Sequence, residues 1–334
     1  AIFACCLAAV VVMLGAWTRL VDAGLGCPDW PGCYGFLAVP NSEADIAIAE
    51  VRFPDSPVEQ AKGWPEMIHR YFASTLGLVV IALCIVAIRQ GRASSFDPVP
   101  LKHVIGLLVL VICQGMFGMW TVTLKLWPQV VSAHLLGGFA TLSLLFLLVL
   151  RTADNGVIND RVSAAALSTL KRMATIAIVL VVLQVFLGAW TASNYAALAC
   201  GSEFPGCQSS LWPEMDFLGG FAFLQTVGPN YLGGLFDNES RVAIHYLHRI
   251  GALVVSVFFA VFLYTAFRQL SDASLKWSLG GILVVLLLQI ALGISNVIWL
   301  IPLPIAVAHN AVGALLLMSL VNYKYQLSRI YIRS

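Results

Sequence analysis

Eight separate stretches of this chain are apolar over lengths that only a lipid bilayer requires. They run over about 2–20, 66–88, 104–123, 129–150, 173–192, 242–267, 277–298 and 304–323. A hydrocarbon core of roughly 30 Å takes about 20 apolar residues per helix. Within it, every main-chain polar group must be paired inside the protein. Barrel strands of roughly 10 alternating residues do not fit, because these runs are longer and do not alternate. Composition agrees: 11% of residues are charged and 60% hydrophobic, against about 25% charged in soluble domains. The expected fold is an all-α integral membrane protein with eight transmembrane helices.

Charge sets the orientation. Loops 89–102, 151–172 and 268–276 and the tail from 324 hold twelve of the nineteen Lys and Arg residues; the opposite loops hold three, Arg52, Lys62 and Lys125. Both termini are therefore expected in the cytoplasm, and the long loops, about 22–65 and 193–240, outside. The first segment opens at Ala1 rather than Met, which predicts a short lead before it. Trp17, Thr18 and Arg19 at its end do not form a small-residue cleavage site. A net charge of +2 points to no nucleic-acid partner.

The chain repeats itself. Gln114-Gly118-His134-Gly138 recurs with the same internal steps as Gln289-Gly293-His309-Gly313. Glu66-Met67-Ile68-His69-Arg70 is echoed by His245-Tyr246-Leu247-His248-Arg249, and GAWTR (Gly15–Arg19) by GAWTA (Gly188–Ala192). Four spans per half is an even number, so both halves enter the membrane from the same side. The expectation is two four-helix bundles related by a pseudo-twofold axis along the membrane normal. The N-terminal bundle takes 1–151, a cytoplasmic linker 152–171 and the C-terminal bundle 172–334. Arg151, Asp154, Asn155, Asp160, Arg161, Lys171 and Arg172 make the linker region polar.

Imidazoles inside a membrane are costly unless they bind something. His69, His134, His248 and His309 all lie on even-numbered spans. Pro65, Pro128 and Pro304 read as helix starts. At 1.5 Å per residue the four rings then sit roughly 6–12 Å below the outer helix ends. Similar depth and repeat-related spacing predict two six-coordinate heme irons, one held by His69 and His134, the other by His248 and His309. A single histidine of this kind can simply bond two helices; four at repeated positions argue for ligation. His245, one turn before His248, is an alternative ligand, although the His-Arg alignment favours His248. His103, near a loop, is expected to be solvated. Arg70 and Arg249 suit heme propionates or reach for headgroups. Gly118, Gly138, Gly293 and Gly313 allow close approach of a porphyrin or of another helix. Gln114, Gln184 and Gln289 either bond near the cofactor or tie helices together.

The halves differ at one position. Glu66 stands where His245 stands in the other half, on the same helix face as His69. A carboxylate beside a heme edge can move protons or stabilise developing positive charge; the bland reading is a helix-start carboxylate favoured by the dipole. Four of the eight cysteines fall in the outer loops as Cys27/Cys33 and Cys200/Cys207. An oxidising compartment makes disulfides the expectation, with a metal knuckle the alternative. Cys5, Cys6, Cys84 and Cys113 read as small packing residues.

TRLVDAGLGCPDWPGC (Thr18–Cys33), EMIHR, the His134 and His309 helices and the His248-Arg249 pair resemble the heme A synthase family over essentially all eight spans. The resemblance implies an enzyme of the bacterial inner membrane. It oxidises the C8 methyl of heme O to formyl, through successive hydroxylations and loss of water, and so yields heme A for cytochrome oxidase. It implies heme O or heme A in the N-terminal half on His69 and His134, with Glu66 catalytic. It implies a permanent heme b on His248 and His309, and outer disulfides as in one subgroup of the family. The implied partners are heme O synthase (a protoheme farnesyltransferase), cytochrome oxidase assembly factors, membrane lipid and an electron acceptor of unassigned identity. The polar run NSEADIAIAEVRFPDSPVEQAK in the first outer loop is not demanded by this chemistry and is expected to cover the substrate heme. Two other classes share parts of the pattern. A diheme b-type quinol oxidoreductase needs the same four histidines but not Glu66 in one half alone. A tandem-repeat transporter or heme exporter would lack tightly bound, paired-histidine heme.

Overall fold

The computed structural model describes residues 1–93, 100–153 and 156–331. Residues 94–99 of the first inner loop, Asp154 and Asn155 of the linker, and residues 332–334 of the tail lie outside the described residues. In order, the chain forms α1 (Ile2–Leu20), α2 (Glu43–Arg52), α3 (Gln60–Ala93), α4 (Leu101–Thr123), α5 (Pro128–Thr152), β1 (Ile158–Asn159), α6 (Ala164–Ser193), α7 (Phe217–Gly220), α8 (Asn238–Gln269), α9 (Ala273–Ile298), α10 (Leu303–Ser328) and β2 (Ile330–Tyr331). Eight of these helices are long and apolar enough to cross a membrane. The short helices α2 and α7 fall in the two long loops.

Local chemistry sets the helix ends. Asp237 Oδ1 accepts from Ser240 N at 2.8 Å and Asp272 Oδ1 from Leu275 N at 3.1 Å, capping α8 and α9. The Ser240 main-chain bond holds the Asp237 carboxyl below its ordinary value. A proline opens α5, where its missing N–H costs nothing. Pro65 behaves differently from the sequence expectation. It lies inside α3 rather than at its start. The Glu59 carbonyl begins the helix earlier, accepting from Lys62 N at 3.0 Å and Gly63 N at 2.9 Å. Proline's fixed φ is helical, so the extra turn costs one main-chain bond. The Thr18 hydroxyl then donates to the Pro65 carbonyl at 3.1 Å and ties α1 to this bend.

Helix contacts follow the repeat. In the first half α1 packs on α3 and α5, and α4 on α3 and α5; in the second, α6 packs on α8 and α10, and α9 on α8 and α10. Across the halves, α5 meets α6, α1 meets α10, and α5 meets α10. Exchanging α1 with α6, α3 with α8, α4 with α9 and α5 with α10 maps this pattern onto itself, which is compatible with two pseudo-twofold-related bundles. Burial agrees: in their apolar 18-residue stretches 39% of α5 and 33% of α10 are buried, but only 11% of α4 and of α9, so the first two are central and the last two peripheral. Backbone irregularities repeat too. Lys125 and Leu126 before α5, and Leu300 and Ile301 before α10, all have positive φ, as do Asp22 after α1 and Tyr195 after α6.

One apolar core, from Ala4 and Ala8 through Leu145, Phe259 and Phe262 to Tyr323, runs through both halves on the linker side. There the linker is pinned rather than merely solvated. Asp160 accepts from Ser271 N at 3.0 Å and Asp272 N at 2.8 Å, and β1 pairs in parallel with β2. His103 is half-buried on the first turn of α4, 3.3 Å from Arg151 Nη1. This corrects the solvated expectation: α4 starts before His103 and packs its first turn against the end of α5.

Candidate functional site

At the cysteine-loop end the core opens and the four histidines stand half-buried, while His245 is 4% exposed. His69 on α3 and His134 on α5 face each other with ring centroids 6.5 Å apart and planes at 87°. The buried Nδ1 atoms of His69, His134, His245 and His309 have no hydrogen-bond partner among the described residues, an arrangement that is expensive without a ligand or water.

Each ring rests on a glycine of a neighbouring span. A Cβ at Gly15 would stand 3.0 Å from Cε1 of His69, at Gly118 3.4 Å from that of His134, at Gly188 3.2 Å from that of His248, and at Gly293 3.1 Å from that of His309. The sequence marked Gly118 and Gly293 but not the roles of Gly15 and Gly188, although the GAWT repeat carried that signal. His248, not His245, shares this arrangement. His245 instead receives Arg249 Nε at 3.3 Å.

Glu66, 4% exposed, sits one turn before His69. Its Oε2 accepts from Cys27 N at 2.9 Å, and its Oε1 pairs with Arg70 Nη2. Both cysteine pairs are disulfide-bonded, Cys27 to Cys33 and Cys200 to Cys207. Arg70 Nη1 donates to the carbonyls of Asp29, at 3.0 Å, and of Gly32. Arg249 Nη1 reaches the Gly206 carbonyl at 2.8 Å. In each half the arginine after the histidine therefore clasps its disulfide loop, a role the sequence did not reveal. Arg249 Nη2 remains buried without a partner.

The first long loop packs on this end of α3. Tyr34, Val39 and Ala49 of α2 join Met67 and the disulfide in one small core. Burial pushes the Tyr34 phenol above its ordinary value, and the Glu59, Glu66 and Asp29 carboxylates add to this. The phenol stays protonated and donates to the Pro57 carbonyl at 2.9 Å. A Cβ at Gly26 would collide with the Lys62 main chain. Gly26→Ala is thus expected to lift Cys27 N off Glu66 and to destabilise the protein by about 1.5–3 kcal/mol, the scale of one lost hydrogen bond to a charge. Thermal unfolding of the variant beside the parent checks this.

Eight spans, a tandem repeat and two intramembrane histidines on facing helices of each half define a polytopic membrane protein of internally duplicated design. Residues 1–321 match the family model COX15-CtaA, described as cytochrome oxidase assembly protein. The chain belongs to that family. It is 41% identical to a heme A synthase of Shewanella oneidensis over 95% of this chain and 92% of that protein. It is 27% identical to heme A synthases of a Chelativorans species, covering 92% of this chain and 84% of the relative, and of Paracoccus denitrificans, covering 94% and 82%.

Proposed function

We propose that this protein oxidises the C8 methyl of heme O to the formyl of heme A. The separation of His69 from His134 carries the reading. Two metal–imidazole bonds of roughly 2 Å, with an iron between them, set ring centroids about 6–6.5 Å apart, and the observed value is 6.5 Å. His69 and His134 would hold the substrate heme, and His248 and His309 a resident heme b. The unpartnered Arg249 Nη2 is a donor for a propionate there, and Arg70 is its counterpart in the first half.

Converting methyl to formyl consumes one water and releases four electrons and four protons. Glu66 is a buried carboxylate one turn from His69. Donors from Cys27 and Arg70 fix both its oxygens, so it stands as an oriented anion beside the substrate. It stabilises positive charge developing as electrons leave. A heme held by His248 and His309 would supply one-electron chemistry there, and an external electron acceptor must take the four electrons. The second half, with His245 in place of Glu66, lacks this anion. The cytoplasmic termini, the outward loops and the division into a 1–151 substrate bundle and a 172–334 heme b bundle belong to the same proposal. So does delivery of heme A into cytochrome oxidase assembly.

Membranes from cells that make this chain together with a protoheme farnesyltransferase should contain heme A. Membranes with the farnesyltransferase alone should stop at heme O; heme O unchanged in both would overturn the proposal. His248→Ala should lose heme b and its low-spin spectrum, whereas His245→Ala should keep both. An unchanged spectrum in His248→Ala would move the ligand to His245.

A further inference from the structure

The two disulfide loops are built alike and display the same kind of surface. Tyr34-Gly35 and Gln208-Ser209, all at positive φ, each turn a two-residue hairpin directly after the second cysteine. Cys33 pairs with Phe36, and Cys207 with Ser210, across the turn. Residues 27–38 and 200–212 carry one charged side chain each, Asp29 and Glu203. Both acids are turned onto the hairpin itself. Asp29 Oδ1 accepts from Tyr34 N at 2.6 Å and Oδ2 from Gly35 N at 2.8 Å. Glu203 Oε2 accepts from Ser209 N at 2.6 Å. Large apolar side chains are turned outward instead. Three residues before the second cysteine stand Trp30 and Phe204, both exposed; four after it stand Leu37 and Leu211, 87% and 71% exposed. Trp212, beside Leu211, is exposed as well.

Both leucines are tied to a spanning helix. Tyr71 Oη donates to the Leu37 carbonyl and Tyr246 Oη to the Leu211 carbonyl, each at 2.6 Å. Tyr71 follows His69 by two residues and Tyr246 precedes His248 by two, so both tyrosines lie within the spans. A helical side chain leans toward its helix's N-terminus. The two leucines therefore stand beside the first apolar turns of α3 and α8, not above them. Trp212 packs edge-on against Tyr246, with ring centroids 5.6 Å apart.

We propose that the two disulfide hairpins are lipid anchors. Trp30 and Leu37 in one half, and Phe204, Leu211 and Trp212 in the other, enter the leaflet at the cysteine-loop end and meet acyl chains just below the headgroups. Apolar side chains gain by leaving water for hydrocarbon, and tryptophan and tyrosine favour this boundary. Turning the single acid of each hairpin onto main-chain amides removes the group that lipid contact would penalise. Arg70 and Arg249 clasp the same hairpins at Gly32 and Gly206 and hold them against the helices. The hairpin that gives Cys27 N to Glu66 is thereby seated in lipid, and the bilayer braces the loop beside His69. Lipid contact of this kind is independent of what the histidines bind.

A photoreactive residue, p-benzoylphenylalanine, placed singly at position 37, 211 or 43 of the full chain and irradiated in native membranes tests this. Glu43 opens α2 in the same outer loop as Leu37 and is exposed. Mass spectrometry of the purified protein should find phospholipid adducts at 37 and 211 and none at 43. Intact disulfides in the same spectra show that the hairpins have formed. If either leucine variant does not accumulate, positions 30 and 204, already aromatic, take the probe in its place. Lipid adducts at the hairpin positions no more abundant than at 43 overturn the proposal. Capture of a protein there instead of lipid overturns it too, and makes the surface a protein interface.

Discussion

His69→Ala is expected to abolish heme A formation while leaving heme b bound. The argument is geometric. His69 and His134 are the only described histidines whose rings stand across α3 and α5, and a heme bound between them would keep only one ligand from the protein in this variant. Second-sphere partners alone account for about 10–100-fold in metal affinity, so direct loss of a ligand exceeds that. His248 and His309 lie on α8 and α10 and are untouched. The second pigment should therefore survive, and its survival shows that the variant folds. Chromatography of extracted pigments reads both outcomes at once. Undiminished heme A in this variant would remove His69 from the substrate site.

Glu66→Gln is expected to retain both hemes and lower turnover about 10²–10³-fold, the range for losing one preorganised electrostatic partner. Glutamine keeps an oxygen for Cys27 N, so the loop keeps that bond, while the charge and its ion pair with Arg70 are lost. Glu66→Ala is a poorer test. Both variants break the Glu66–Arg70 pair, whose side chains are 11% and 6% exposed, but alanine also removes the acceptor for Cys27 N and leaves a cavity, so a loss of folding would mask the loss of charge. Normal heme A production by Glu66→Gln would reduce Glu66 to a clasp for the disulfide loop.

The eight spans were legible because hydropathy over about 20 residues is a solvent requirement, not a packing preference. Their ends were less so. Gln60–Trp64 extends α3 past Pro65 because a loop carbonyl from Glu59 starts the helix, and no pattern within the span reports that. The ligand candidates, and the preference for His248 over His245, could be read from repetition. Alignment favoured His248, but the glycine seat under its ring and the burial of His245 against Arg249 appear only once the helices are packed. Arg70 and Arg249 carried charge that suited propionates. Their bonds to Gly32 and Gly206 depend on how each disulfide loop folds back on its helix, which spacing does not encode.

The most direct measurement is the pigment content of the purified protein from cells well supplied with heme O: a pyridine hemochrome spectrum with chromatography of the extract. This account predicts heme b together with heme O or heme A, in comparable amounts and both low-spin. Colourless protein, or heme b as the sole pigment, would contradict it.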